Sequence, residues 1–405
     1  MKIFRHVHCY HLALISLLLL TACEPQQTQP NPQQAALTQP TQPLTPSPFP
    51  TNDAIKAFIV QANSNANASI NTAIALQQAS ENFLKNPNNT TLKALKSSWQ
   101  ISHQQYLRTI IYQSVSKNYR RSRFQIDAWP IEAGYLDYLK EYPNTGIVND
   151  LTLVISEEAI TEQHGFSSEF DVCKGFHAIE FLIWGEGPDP NSVGNRSAKD
   201  FLPMTSLTQQ QQENQLQLKD LANNRRRELL RLLVNLLIKD LSELEANWQS
   251  SGSYSQQLVS LPPRAQIKFL VENLDRYLRR EILEKSLGDS AHGEYSNTGV
   301  DSWLAHAASL AEIYNETDQP ILAPLFNKID EKQNQILAAL LTELGSALQT
   351  YGQDLKTANN TTAAEPQALR NLIDTLLTEL GTLADAIPQS TQPSKPKPTT
   401  LSQAD

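Results

Sequence analysis

The chain has 405 residues, 33 Lys and Arg against 42 Asp and Glu, and a net charge of −9 at pH 7. An acidic body of this kind argues against nucleic acid or an anionic lipid surface as its partner, and leaves metal cations open. With 3 Cys in all, and two of them, Cys9 and Cys23, inside or at the end of an N-terminal leader, the body has no intramolecular disulfide to build on and must be held by its core.

Residues 1–22 read as a signal peptide. Lys2 and Arg5 form a basic start, and Leu12 to Ala22 is an apolar run too short to span a bilayer. Removing them leaves 31 basic and 42 acidic residues, a net of −11. The run ends Leu20-Thr21-Ala22-Cys23, which resembles the bacterial lipobox, and that resemblance implies lipidation at Cys23. Glu24 rather than Asp after the Cys points to the outer membrane over the inner, so the expected address is the cell envelope, as a lipoprotein facing the periplasm. Several acyl chains would make the tether permanent, where one gives only marginal binding. Residues 23–52 are rich in Pro, Gln and Thr and read as an extended spacer, as does the disordered tail 388–405.

Between them the apolar residues recur at helical spacing: Asp53 to Lys85, Leu92 to Ser116, Leu221 to Trp248, Ile267 to Leu287, Ser302 to Tyr314, Pro320 to Tyr351 and Pro366 to Ile387. No run alternates like a strand, so the fold class is all-α. A polar, Gln-rich patch from Gln209 to Gln217 suggests two packed helical bundles, 53–205 and 206–387, with a single continuous helical array as the alternative. Arg225 to Arg227 are expected at the solvated start of a helix.

The most informative stretch is Asp171 to Gly185. On a helix, Cys173, His177, Glu180 and Trp184 share one stripe, and most of the remaining circumference is apolar. A helix apolar nearly all round is a buried helix, and a buried Glu needs a partner: a metal, a ligand or another side chain. The plain reading of His177 and Glu180 is an i, i+3 hydrogen-bonded pair. The functional one is a pair of ligands, His177 giving nitrogen and Glu180 oxygen, a mixed set suited to iron or zinc. The zinc-peptidase signatures His-Glu-x-x-His and His-x-x-Glu-His are absent, position 181 being Phe, so any further ligands come from elsewhere in the chain. His103, His164, His292 and His306 are the other imidazoles of the body. Cys173 reads as a core thiol or as a soft ligand. Asp127 and Trp129, in Asp127-Ala-Trp129-Pro130, read as packing at a helix start or as a segment that sets Asp127 near the site. Arg196, four before Asp200, reads as a surface ion pair or as a group that neutralises Glu180 or holds an anionic ligand.

Gly175-Phe-His177-Ala-Ile-Glu180 resembles the hallmark Gly-x-His-x-x-Glu of the imelysin-like proteins. The likeness extends through Phe181-Leu-Ile-Trp-Gly185, Gly194-Asn-Arg196-Ser-Ala-Lys-Asp200, the Trp129-Pro130 segment and the Arg225 helix, and covers roughly residues 53 to 387. At the family's Ser-Asp-Asn-Thr turn this chain has Tyr295-Ser296-Asn297-Thr298, which makes Ser296 a supporting candidate. The resemblance implies a binding protein of bacterial iron acquisition that holds iron, haem or an iron-bearing ligand, with an outer- or inner-membrane transporter as a candidate partner. Two alternatives stand beside it: a metallopeptidase with His177 and Glu180 in its site, and a scaffolding lipoprotein in which the pair is structural.

Overall fold

In a computed structural model the described residues are 51–115, 119–189, 192–287, 292–314, 320–357 and 367–387. The leader, the lipidation site at Cys23, nearly all of the spacer and the C-terminal tail lie outside them. Fourteen α-helices follow one another among these residues, with no strand between them. In chain order these are α1 (Thr51–Lys85), α2 (Asn89–Leu107), α3 (Tyr119–Asp127), α4 (Ala133–Leu136), α5 (Glu157–Gln163), α6 (Phe176–Trp184) and α7 (Gln209–Glu213). The second half adds α8 (Ala222–Trp248), α9 (Ser253–Ser260), α10 (Pro263–Tyr277), α11 (Gly299–Tyr314), α12 (Leu322–Ile329), α13 (Glu331–Thr357) and α14 (Gln367–Asp385). The all-α expectation holds, and no helix among the described residues is long and apolar enough to cross a membrane.

Local chemistry sets most boundaries. Asn88 opens α2 with a full capping box: its side chain accepts from the backbone N–H groups of Thr90 and Thr91, while the Thr91 hydroxyl faces the Asn88 N–H. The single helix expected over 320–351 is broken at Asp330, whose backbone is extended and whose carboxylate accepts from the Gln333 N–H, so it ends α12 and caps α13. The helix expected over 267–287 is α for its first part and π over Leu278–Ser286. Wide π turns of this kind often mark functional segments.

Helix α1 packs along both α2 and α8, with Phe58, Leu76, Phe83, Leu95, Trp99, Leu230, Leu233 and Leu237 buried on these three helices. Helix α8, which follows the boundary expected near residue 205, packs chiefly along α1; α11 to α14 pack among themselves, and α10 and α11 reach back to the N-terminal helices. The core is one contiguous cluster across all of these. Arg225 and Arg226 do not line a solvated helix start. Both are buried: Arg225 donates to the carbonyls of Ile147, Val148, Asp150 and Leu153, and Arg226 grips Asp137 with Nε at 2.6 Å and Nη2 at 2.9 Å. A guanidinium supplies five donors in a fixed fork, so it can tie down an irregular segment that offers carbonyls in place of regular structure.

Helix α6 is the hydrophobic keel under the site. All nine of its residues are buried. It is shorter than the sequence suggests, because Gly175 sits at φ 86°, a left-handed conformation, and a Cβ there would lie 2.6 Å from the Ile126 carbonyl oxygen. That turn stops the helix from starting earlier and brings it against the end of α3.

Candidate metal centre

Four elements deliver four donors to one point. His103 comes from α2, Asp127 from the last turn of α3, His177 from the first turn of α6, and His292 from the loop before α11. One ligand atom from each lies within 4.8 Å of all the others. Asp127 Oδ1 is 3.0 Å from His103 Nε2, 3.3 Å from His177 Nε2 and 3.8 Å from His292 Nε2; the His177 and His292 Nε2 atoms are 3.0 Å apart. A tetrahedral ion with bonds of ~2.1 Å holds its donors ~3.4 Å apart, and the observed separations bracket that figure. Three imidazole nitrogens and one carboxylate oxygen therefore fit a single divalent first-row cation of the iron or zinc type with small adjustments.

The surroundings orient each donor. His177 turns Nδ1 to Glu180 Oε2 at 2.7 Å, and Glu180 Oε1 accepts from the Ser296 N–H at 2.8 Å and the Ser296 hydroxyl at 2.6 Å. His292 Nδ1 lies 2.8 Å from the Ser302 hydroxyl. Asp127 Oδ2 accepts from Arg123 Nη2 at 3.0 Å, and Arg123 is anchored in turn by Glu281. The ring faces are walled as well: Trp99 lies 4.8 Å from the His103 ring and Trp129 5.4 Å from that of His292. An imidazole whose second nitrogen is bonded to a carboxylate or hydroxyl, standing around a bonded carboxylate, is how metal-ligating histidines are usually held.

Electrostatics run the same way. Burial opposes charge on His177, but Asp127 and Glu180 outweigh it and lift the imidazole to about 9. Burial drives His292 down to about 3, with His177 and His103 adding to that, although Asp127 pulls the other way. Asp127 is held well below the ordinary carboxylate range because its three imidazole partners overcome its burial. Without metal, then, a proton on His177 stands between two carboxylates, while His292 is neutral, with Nδ1 beside the Ser302 hydroxyl and Nε2 beside His177.

The sequence-derived candidates distribute unevenly around this centre. His177 and Asp127 contribute donor atoms to it. Glu180 stands behind His177 on the Nδ1 side, and Ser296 holds Glu180 in place. Trp129 packs on His292. Cys173 is not on the α6 stripe, since it precedes Gly175; its Sγ contacts the Ile160 carbonyl at 3.2 Å, and burial pushes the thiol up to about 12, as for a core residue. Arg196 lies 2.9 Å from Asp137 and 3.8 Å from Asp200 and stacks over Tyr138, so its role is to pair with Asp137 beside Arg226. His103 and His292 are the residues that sequence reasoning leaves among the undistinguished histidines. His292 carries a signal only in the adjoining Gly293-Glu-Tyr-Ser296, a turn that Gly293 at φ 73° folds back toward α6, and His103 carries none.

No curated protein matches the chain. Among solved structures, a protein from Parabacteroides distasonis ATCC 8503 described as an iron-regulated protein A precursor superposes with a TM-score of 0.59 at 12% identity, over 84% of this chain and 95% of that one. At that identity the likeness establishes the fold. The sequence profile of the Imelysin family, also labelled Peptidase_M75, matches residues 62–387, four fifths of the chain and every residue of the centre just described. The chain belongs to the imelysin family.

Proposed function

We propose that this protein is a lipid-anchored component of the bacterial envelope that binds an iron cation at His103, Asp127, His177 and His292 as part of iron acquisition. The observation that supports it best is the convergence of three imidazoles and a carboxylate from four separated parts of the chain on one buried point. Bringing these polar groups together in a core costs free energy that only a cation or a shared proton offsets. The description of the structural neighbour as iron-regulated and the family's link to iron uptake favour iron over zinc. The compactness of the donor set favours a bare cation over haem. The lipobox-like Cys23 supports the envelope address.

The metallopeptidase reading draws on the family's label and on the same donors. It needs a general base free to take a proton from a metal-bound water. Glu180, the acid nearest the site by sequence, has Oε2 on His177 and Oε1 on Ser296. Its partners therefore suit a positioning role.

The test is metal analysis of protein prepared without chelator, followed by iron(II) and zinc(II) titration of wild type and His292→Ala, with a peptide-cleavage assay alongside. The expectation is one bound cation per chain, iron retained under anaerobic conditions, and loss of binding in the variant without loss of helicity. Wild type that binds neither cation would overturn the proposal, and metal-dependent cleavage lost in His292→Ala would replace it with the peptidase reading. For the anchor, Cys23→Ser is expected to release the protein from membranes; continued palmitate labelling of that variant would refute it.

A further inference from the structure

Beside the metal centre, on the far side of Arg123, is a small cavity lined by Ile110, Ile111, Tyr119, Arg123, Asn273, Arg276, Tyr277, Arg280 and Glu281. We propose that this cavity is an oxyanion site, built on Arg123, Arg276 and Arg280 for a carboxylate or phosphate group, and that it fills together with the metal centre. The first half stands without the metal; the coupling rests on the metal reading above.

The case begins with charge. Three arginines line the cavity and one acid does, Glu281, whose carboxylate Arg123 already holds and Lys285 approaches at 3.5 Å. In a chain with a net charge of −9 this is a local excess of positive charge. Arg276 and Arg280 are four residues apart on one helical face, where like charges repel and cost a few tenths of a kcal/mol with nothing between them. Arg280 donates to the Tyr119 hydroxyl and stacks on its ring. Arg276 makes no ion pair among the described residues, and its Nε is buried without a hydrogen-bond partner. The Nε of Arg123, whose side chain is 8% exposed, is also without one. Leaving buried charged donors unmet is costly, and a guanidinium fork is shaped for a planar or tetrahedral oxyanion. The enclosed space, about 20 Å³, takes one or two oxygen atoms, so such a group would enter by its oxygens and keep the rest at the open side, and a peptide is excluded.

Geometry supplies the link to the metal. Arg123 donates to Asp127 Oδ2 at 3.0 Å, and Asp127 Oδ1 is the oxygen that faces the three imidazoles. A cation bound there draws on the Asp127 charge and leaves Arg123 less neutralised, so an anion on Arg123 is favoured. Linkage then requires the anion to tighten the metal by the same factor. The metal would accordingly be held best when it arrives with, or is joined by, an oxyanion.

The experiment measures binding of inorganic phosphate and, separately, acetate to the whole protein at constant ionic strength, with chloride as the reference anion, metal-free and then loaded with zinc(II). The variants are Arg276→Gln and Arg276→Lys, at a residue that touches no metal donor. The expected result is that phosphate or acetate binds in preference to chloride, and which of the two binds better identifies the group. Arg276→Gln is expected to weaken that binding about tenfold, the worth of one charge-assisted hydrogen bond. Arg276→Lys restores part of it, and the melting temperature without anion is unchanged in both. Metal-loaded protein is expected to bind the anion more tightly than metal-free protein. No preference over chloride, or equal binding by Arg276→Gln, overturns the site. An anion that binds equally with and without zinc in a protein that does bind zinc overturns the coupling. A wild type that binds phosphate and no metal upholds the site while removing the proposed function.

Discussion

His177 uses both ring nitrogens, Nδ1 on Glu180 and Nε2 toward Asp127 and His292, and that double engagement fixes what each neighbouring substitution should do. Asp127→Asn removes the one anionic donor of the group and leaves Arg123 short of a partner, so cation binding is expected to be lost. Glu180→Gln keeps a hydrogen bond to Nδ1 but not the charge that makes the imidazole a better donor. A loss of about 10–100-fold in affinity is expected, the range typical of such supporting carboxylates. If calorimetric titration shows the two variants equally damaged, Glu180 is a direct ligand and the assignment above is wrong. The proton on His177 gives a second prediction. With the imidazole lifted to about 9 and His292 lowered to about 3, metal entering at pH 7 displaces one proton, from His177. Binding heats measured in buffers of different ionisation enthalpy should return close to one proton released per cation. A value near zero would mean that the empty site is already neutral.

One glycine sets where the site-bearing helix begins, and a second, in α13, tests the argument by contrast. Gly175 at φ 86° lets the chain pass against Ile126 and aim α6 at the end of α3. Gly175→Ala meets both a left-handed backbone and a 2.6 Å clash with a backbone carbonyl, so it should cost roughly 1–3 kcal/mol or more. Metal binding should fall with it, because His177 is two residues on. Gly345 lies inside α13 with nothing within 4 Å of an added Cβ, and Gly345→Ala should stabilise slightly, by up to about 1 kcal/mol. Chemical denaturation of the two variants decides the matter, and equal midpoints would remove the steric reading of Gly175. The same element shows how far sequence alone reaches. The apolar wheel of Phe176 to Trp184 announces a buried helix that carries a His and a Glu. The long amphipathic repeats of α1, α8 and α13 likewise declare themselves, because their periodicity is local. The two distant histidines do not. His103 sits in a polar stretch of α2 and His292 in a loop, and what makes them donors is a meeting of residues 74 and 115 positions from His177, which no local pattern encodes. Arg225 and Arg226 mislead for the same reason, since the Arg225 acceptors and Asp137 lie 72 to 89 residues upstream.

At the scale of the whole molecule, a cation bound at the proposed centre would bridge α2, α3, α6 and the loop before α11, closing a span from residue 103 to residue 292. Its effect on stability should therefore depend on pH in a way that the metal-free protein reverses. In the metal-free state His177 titrates above its unfolded value of ~6.5, at about 9. Its contribution is complete below ~6.5 and is lost as pH rises toward 9. His164, His292 and His306 behave oppositely. Burial first of all lowers them to about 4, 3 and 4, so they cost nothing above ~6.5 and destabilise progressively as pH falls below it. Metal-free protein should thus be most stable near pH 6.5, with stability falling on both sides between pH 4.5 and 8. Lys96, held down to about 8, works against His177 only above that window. The cation needs neutral imidazoles, so proton competition weakens as pH rises, and loaded protein should gain stability where metal-free protein loses it. At metal a hundredfold above its dissociation constant the difference is about 2.7 kcal/mol, and it should widen from pH 6 to pH 8 as His177 gives up its proton more readily. Thermal melts with chelator and with zinc(II) across that range measure both curves. Parallel curves, or a gap that narrows with pH, would show that the four donors do not act as one cation site.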